Sequence, residues 1–426
     1  MSNDALATVR ELGSVDELRA LAQRGFGPSI RPKSNTHIHL PPNFSAFESV
    51  KQAVDLADKE GIDALGATNY YDFGVYAEFV ARTQEAGIFP LFGTEIICLI
   101  DDLVRAGVRI NDPGNPGKMY ICAKGITRFE NPTAKAHEIL GTIRGNDQRR
   151  MAEMIGRLEK LFADADVATG LDEQKVIGMV VRRHGSSPEH VTLQERHVAQ
   201  AFQEAFFAKV PAGARQAKLT EIFGSPAKSG PEDSVKVQGE IRSQLMKAGK
   251  PAFVAESFVD FDQARTLILE LGGIPCYPTL ADGVTPICEY EDPVAKLIDN
   301  IRQHGIHCAE FVPIRNEPTM LEKYVAPMRQ AGLVITAGTE HNTLDLLPIE
   351  PQCVKGQPVP EAIEEIFWEG TCVVAAHQFL LTHDQTGFVD ETGRPNRDYP
   401  TAEERIAAFA ALGRAVIGKY LDKFKG

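Results

Sequence analysis

The sequence predicts an α/β barrel built on parallel strands and interrupted by a mainly helical insertion. Short apolar runs alternate with amphipathic stretches from residue 34 to residue 95, and the same alternation resumes after residue 251. The segment between them is dominated by long, charged helical patterns. Alternating strand and helix patterns are typical of parallel sheets that helices cover. At 426 residues, the chain is long enough for one barrel with an insertion.

The first part of the barrel is predicted to hold three strands separated by two helices. The strands are SNTHIHL, IDALGATN and IFPLFGTEI, and the helices are FSAFESVKQAVDLADKEG and VYAEFVARTQEAG, which end at Gly61 and Gly87. A stretch rich in proline and glycine, from Arg109 to Phe129, then predicts a long loop over the end of the sheet and a further strand over MYICA.

The second part repeats the pattern and closes with a helix. The predicted helices cover FDQARTLILELGG, DPVAKLIDNIRQHG and MLEKYVAPMRQAG, and the strands cover IPCYP, HCAEFVPI and LVITAG. The final stretch, TAEERIAAFAALGRAVIGKYLDKF, predicts an amphipathic helix on the barrel exterior. We therefore expect an N-terminal helical extension (1–33), a first barrel part (34–132), a helical insertion (133–250) and a second barrel part with the C-terminal helix (251–426).

Composition excludes several classes of function. Lys plus Arg number 45 and Asp plus Glu 58, and the resulting net charge of −13 argues against non-specific binding of nucleic acid or of anionic membranes. No apolar run approaches the roughly 20 residues of a bilayer helix, and the N-terminus lacks the apolar core of a signal peptide, so we expect a cytoplasmic protein. The expected partner is a small-molecule substrate, and assembly into a homo-oligomer stays open. The seven cysteines form no CxxC pair, which argues against a disulfide framework or a cysteine zinc site.

Acidic and imidazole side chains recur at the ends of the predicted strands. His37 and His39 lie two apart on one strand, so both can face one metal ion. Glu95 ends the third strand, and Glu340 and His341 follow a later one. Because parallel β/α folds assemble their sites at the carboxyl ends of the strands, these five residues are the predicted metal ligands.

Further polar residues complete the predicted site. Asp72 follows the second strand, and we predict catalytic roles for Asp72, Glu95 and His341, which would orient water or complete the site. The predicted substrate-binding residues are Asn69, Tyr70, Lys118, Lys124, Tyr277 and Arg315.

The order of these motifs resembles the PHP (polymerase and histidinol phosphatase) superfamily. The shared pattern is HxH after the first strand, a polar motif after the second, G-x-E after the third and a late G-[ST]-[DE] motif with histidine, over residues 34–130 and 251–345. His37 and His39 match the first motif, Glu95 matches the third, and Glu340 with His341 approximates the last. The resemblance implies a distorted (β/α)7 barrel of the TIM type, a cluster of up to three metal ions, and hydrolysis of phosphoesters.

The chain departs from that pattern at three imidazole positions. Asn69 and Tyr70 stand within the motif that usually reads TDH, Tyr277 stands where the AHP motif has its histidine, and Asn342 falls where the last motif has histidine. The resemblance with these losses implies one divalent ion, Zn, Mn or Fe, and two at most.

The sequence leaves three functions open. The first is a metal-dependent hydrolase, a phosphoesterase that attacks a small molecule through activated water. The second is a metal-assisted lyase, isomerase or amidohydrolase-like enzyme on a sugar-type substrate, and the third is a non-catalytic, ligand-binding barrel. No G-x-S-x-G elbow, P-loop or dinucleotide fingerprint supports an acyl-enzyme, NTPase or Rossmann function.

Overall fold

The computed structural model describes residues 4–28 and 30–425, which divide into two compact units. Unit 1 contains the described residues up to Leu40, Ser49–Leu140 and the chain from Val259 onward, and unit 2 contains Pro41–Glu48 and Gly141–Phe258. The insertion predicted over 133–250 overlaps Gly141–Phe258 of unit 2, and unit 2 also includes Pro41–Glu48, which the prediction assigned to the first barrel part. The boundary between Leu140 and Gly141 falls inside one continuous helix. The amino-acid composition does not change there, so the sequence gives no signal that a new unit begins.

The strands of unit 1 are β1 Lys33–Ile38, β2 Ile62–Ala67, β3 Phe89–Leu99, β4 Lys118–Lys124, β5 Val259–Asp260, β6 Ile274–Thr279, β7 Cys308–Phe311 and β8 Val334–Ala337. They form a sheet in the order β1-β2-β3-β4-β6-β7-β8, with β5 paired to β3. A parallel bridge between Ile38 and Glu340 connects the end of β1 to the segment after β8, so the sheet nearly closes into a barrel. The predicted α/β barrel is confirmed at this level.

One strand departs from the parallel arrangement. β4 runs antiparallel to both of its neighbours, β3 and β6, whereas the other pairs are parallel. The chain between β3 and β4 returns next to the point where it left, because Leu99 pairs with Lys118. Parallel neighbours need a crossover that carries the chain back to the opposite end of the sheet, and this connection does not make one.

The helices, in chain order, are α1 Ala7–Arg10, α2 Val15–Gln23, α3 Val50–Lys59, α4 Tyr76–Ala86, α5 Asp101–Ala106, α6 Ala134–Asp164, α7 Glu173–His184, α8 Glu195–Lys209, α9 Ala212–Phe223, α10 Ser234–Ile241, α11 Phe261–Glu270, α12 Val294–Gln303, α13 Pro318–Gln330, α14 Glu361–Leu381 and α15 Ala402–Phe424. Unit 2 is built from the later part of α6 and from α7 to α10, around a core that includes Phe162, Phe202 and Phe206. No helix among the described residues has both the length and the apolarity needed to cross a bilayer.

Local sequence explains where the helices begin and end. Ser49 caps α3 by accepting a hydrogen bond from the backbone N–H of Gln52, and Thr401 forms a capping box with Glu404 at the start of α15. α4 ends at Gly87, which adopts φ 67°, a left-handed conformation that glycine tolerates without a steric cost. The helix predicted from Phe44 therefore begins only at Val50, after the Ser49 cap, whereas the predicted end of α4 at Gly87 is observed.

α14 is a helix that is buried on nearly all sides. The apolar run between His377 and His383 has the character of a strand, but it forms the end of this helix. Nearly every residue after Phe367 in α14 is buried, so the helix lacks the polar face that distinguishes an amphipathic helix from a strand. Gly370 packs against the backbone of β8, and Gly413 of α15 packs against the backbone of Cys372. α14 therefore lies between the sheet and α15.

Candidate metal centre

Three ligand atoms converge between the carboxyl end of β1 and the middle of β3, which continues past Glu95 to Leu99 instead of ending there as predicted. The Nε2 atoms of His37 and His39 lie 3.2 Å apart. The Glu95 Oε2 atom lies 3.1 Å from Nε2 of His39 and 3.8 Å from Nε2 of His37. All three side chains are buried. We call these residues the His-His-Glu triad.

The triad fits a single divalent ion. Zn–N bonds of about 2.0 Å at angles between 90° and 109° place two ligand nitrogens roughly 2.9–3.3 Å apart, and the two Nε2 atoms fall within that range. Burial lowers the pKa of His39 from its ordinary value, so the imidazole stays neutral and keeps a lone pair for a metal. Two imidazoles and a carboxylate are ligands that Zn, Mn and Fe accept.

Glu310 of β7 fixes the orientation of His37. Its Oε1 atom lies 2.6 Å from Nδ1 of His37, and its Oε2 atom accepts a hydrogen bond of 2.9 Å from the Thr36 hydroxyl. Burial favours the neutral acid, but Lys124 and His37 outweigh it and hold the pKa of Glu310 well below its usual range. An ionised carboxylate can only accept, so Nδ1 of His37 donates to Glu310 and Nε2 is the ring nitrogen directed at the triad.

Sequence reasoning missed Glu310, although a signal was available. It is the one ionised side chain inside the apolar run CAEFV, and all four residues of β7 are buried. A charge inside a buried strand requires a partner of opposite sign. The sequence contains that requirement but does not identify Lys124 and His37 as the partners.

The structure gives Lys124 a structural role instead of the predicted substrate contact. Its buried ammonium forms an ion pair with Glu310 and donates a 3.0 Å hydrogen bond to the Thr36 carbonyl. Lys124 is one of the predicted substrate-binding residues. Because β4 is antiparallel, Lys124 lies instead beside Ile274, at the start of β6 and away from the carboxyl edge of the sheet.

Glu340 and His341 follow β8 but differ in what they contact. Both oxygens of Glu340 accept hydrogen bonds from the guanidinium of Arg315, with Nη1 to Oε1 at 2.9 Å, and Asn342 donates to Oε2 at 2.7 Å. Nε2 of His341 donates to the Leu347 carbonyl at 2.9 Å, and its Nδ1 lies 2.8 Å from the Thr339 hydroxyl. Both ring nitrogens are thus engaged outside the triad, which does not favour the predicted catalytic and metal-binding roles of His341.

Asn69 and Tyr70 support the histidines from β2. The Asn69 side chain accepts from the Leu40 N–H at 2.7 Å and donates to the Leu40 carbonyl at 3.0 Å, which holds the chain directly after His39. The Tyr70 ring stacks on His39 with centroids 4.8 Å apart. Burial and the neighbouring Glu95 raise the pKa of Tyr70 well above its usual value, so its hydroxyl stays protonated. Asp72 accepts a 2.9 Å hydrogen bond from Gly74 in the following turn.

The last two predicted substrate-binding residues, Lys118 and Tyr277, also have protein partners. Lys118 begins β4 and pairs with Asp112 at 3.2 Å. The Tyr277 hydroxyl donates to Glu291 at 2.8 Å. Tyr277 therefore belongs to a buried hydrogen-bonded network, whereas Lys118 lies beside the carboxyl end of β3.

Cys122 forms a second group with His37 and Glu310. Its sulfur lies 3.9 Å from Nδ1 of His37. Burial raises the pKa of the thiol well above its usual value, and a protonated thiol is a poor ligand. The His37 Nδ1 and Glu310 atoms of this group already bind each other, so the triad is the better metal site.

Comparisons with known proteins connect the fold to two solved structures. No protein-family model and no curated protein matches the chain. A Bifidobacterium adolescentis protein described provisionally as a metal-dependent phosphoesterase matches with a TM-score of 0.54 and 16% identity, over 80% of this chain and 96% of that chain. A Chromobacterium violaceum amidohydrolase, solved with sulfate and no metal, matches with a TM-score of 0.49 and 18% identity, over 78% of this chain and 96% of that one. The first match shows a shared fold.

Proposed function

We propose that this protein is a metal-dependent hydrolase of the PHP type that cleaves a phosphoester of a small molecule. The proposal rests on one observation: three potential metal ligands converge in the barrel, namely His37 Nε2, His39 Nε2 and the Glu95 carboxylate. The order of the sequence motifs supports the PHP assignment. The fold shared with a protein described as a metal-dependent phosphoesterase supports the phosphoesterase reaction.

The side chains around the triad would have different roles in such a site. A bound divalent ion would supply Lewis-acid polarisation of the phosphoryl oxygen and a source of hydroxide near neutral pH. His37 is held in one tautomer by Glu310, and His39 is held against the Tyr70 ring. The protonated Tyr70 hydroxyl hydrogen-bonds the Glu95 carboxylate and would help to orient this third ligand.

An amidohydrolase centre with a bridging lysine has less support. Lys124 is a buried lysine near the triad, but its ammonium is paired with Glu310 and hydrogen-bonded to Thr36, so it is not available to bridge metal ions. An ammonium has no lone pair for a metal. No contact of the described residues favours the lyase, isomerase or ligand-binding alternatives, and they are outcomes of the test.

Phosphoesterase assays on matched variants test this proposal. The chain is assayed with p-nitrophenyl phosphate and bis(p-nitrophenyl) phosphate in the presence of Mn, Zn or Mg. We expect turnover by the wild type and a loss of about 10²-fold or more in His37→Ala/His39→Ala, because the double variant removes two of the three ligands. His137→Ala, an exposed histidine of α6, is the control and should keep full activity.

Three results would contradict the proposal. Equal activity in the double variant would remove the triad from the reaction. Metal binding without cleavage of any phosphoester would favour the lyase, isomerase or amidohydrolase alternatives, and ligand binding without metal would favour the non-catalytic barrel.

A further inference from the structure

Two carboxylates besides Glu95 lie close to the histidines, and each is held by a cation of the protein. Glu310 pairs with Lys124, and Glu340 pairs with Arg315. Each pair is neutral, so Glu95 is the one uncompensated carboxylate among these five charged side chains. In a site with several metal ions, carboxylates such as these would serve as ligands to the further ions.

The two pairs differ in access to solvent. Lys124 and Glu310 are buried. The Arg315 side chain is 36% exposed, and that of Glu340 is 8% exposed. Arg315 ends the short turn Pro313–Arg315 after β7, at the carboxyl edge of the sheet. The Arg315 side chain is therefore partly accessible to solvent, whereas the Lys124–Glu310 pair is not.

Arg315 also lies near the triad. Glu95 and Tyr70 are close enough to act electrostatically on the guanidinium, together with Glu340. A guanidinium has five N–H donors. Nη1 and Nη2 of Arg315 each donate one hydrogen bond to the Glu340 carboxylate. The remaining donors can bind an anionic oxygen, and a planar fork suits a phosphoryl group.

The backbone at Glu340 indicates that this pair is imposed by the fold. Glu340 and His341 have φ of 59° and 54°, in the left-handed region that residues other than glycine rarely adopt. Such backbone strain persists where surrounding contacts enforce it. Here the contacts of His341 with Thr339 and Leu347 hold the turn that directs Glu340 toward Arg315.

We infer that Arg315, anchored by Glu340, takes the place of a second metal ion: it binds the anionic oxygen of the substrate, and the site holds one divalent ion. The inference rests on the proposed function and specifies it. Arginine and metal ions are alternative clamps for the charge of a phosphoryl group. With Glu310 and Glu340 neutralised by their own cations, the triad remains as the metal site.

Calorimetric titration with inorganic phosphate tests the role of Arg315 without turnover. The metal-loaded wild type and Arg315→Ala are titrated, with Arg82→Met as control because Arg82 pairs with exposed carboxylates on α4. We expect the dissociation constant for phosphate to rise at least tenfold in Arg315→Ala and to stay unchanged in Arg82→Met. The metal content of both variants should equal that of the wild type, one ion per chain.

Two further variants separate binding from folding. Arg315→Ala/Glu340→Gln leaves no unpaired carboxylate, so it should fold and lose phosphate binding to the same extent. Arg315→Lys keeps the charge without the fork and should fall between the wild type and Arg315→Ala. Guanidinium at millimolar concentration should restore part of the phosphoesterase activity of Arg315→Ala.

Wild-type phosphate affinity in Arg315→Ala, or two or more ions per wild-type chain, would overturn the inference and leave the proposed function standing. A chain that binds no metal and cleaves no phosphoester would instead refute the proposed function. The two failures are therefore distinguishable.

Discussion

Opposite charges are paired around the buried histidines. Glu310 meets Lys124, and Glu340 meets Arg315. A buried charge without a partner is strongly destabilising, so each pair depends on both of its members. The arrangement also leaves Glu95 as the negative charge that faces the imidazole Nε2 atoms. The triad would therefore contact the metal, whereas the two ion pairs would support the triad without contacting the metal.

Glu310→Gln tests the support of His37. The substitution leaves the Lys124 ammonium buried without a counter-charge, and we expect the free energy of unfolding to fall by about 3–5 kcal/mol. It also weakens the acceptor at Nδ1 of His37, which should reduce metal affinity by roughly 10–100-fold. Urea unfolding and metal titration measure the two effects.

A double variant separates these effects. Glu310→Gln/Lys124→Met removes both charges, so it should regain most of the lost stability but not the lost metal affinity. Metal affinity equal to that of the wild type in Glu310→Gln would show that the carboxylate does not orient His37.

Sequence alone could identify the triad but not its supports. His37 and His39 are found because residues two apart on a strand share a face, and Glu95 because it ends a predicted strand. The partners of Glu310 lie on β1 and β4, far away in sequence, and no local pattern encodes that contact. Asn69 has the same limitation, because its role depends on the backbone of Leu40.

Among the elements, the direction of β4 has the largest effect on the site. A parallel β4 would place Lys124 at the carboxyl edge, whereas the antiparallel strand places Lys118 there, opposite Leu99. An apolar run such as MYICA predicts a strand but not its direction, so the sequence could not assign the two lysines. α14 could not be recognised for a related reason, because burial on all sides hides the helical period.

The junction after β8 requires a glycine. A Cβ atom on Gly338 would lie 2.4 Å from Cβ of His37 and 3.2 Å from Oε2 of Glu310. We expect Gly338→Ala to displace His37, to lower the free energy of unfolding by about 1–3 kcal/mol and to weaken metal binding. Thermal unfolding and metal titration measure these changes.

Gly156→Ala is the matched control. Gly156 lies in α6, where an added Cβ atom would enter open space, so alanine should stabilise the protein by roughly 0.5–1 kcal/mol. Wild-type stability and metal affinity in Gly338→Ala would show that the packing of β8 against His37 is loose.

For the whole molecule, the candidate site depends on two parts of the chain that are far apart in sequence. The triad comes from residues before 100, and Glu310, Arg315 and Glu340 come from residues after 300. Most of unit 2 lies between them in sequence. The alternation of strand and helix predicted that the barrel resumes after the insertion. The bridge between Ile38 and Glu340, which brings the two parts together, is a tertiary contact that periodicity does not encode.

Metal content measured by elemental mass spectrometry, on protein purified without chelator, tests the central claim most directly. The triad predicts about one equivalent of Zn, Mn or Fe per chain in the wild type and in His137→Ala, and its loss in His37→Ala/His39→Ala. An absence of metal from the wild type, even after reconstitution with each ion, would contradict a metal-dependent function for this barrel.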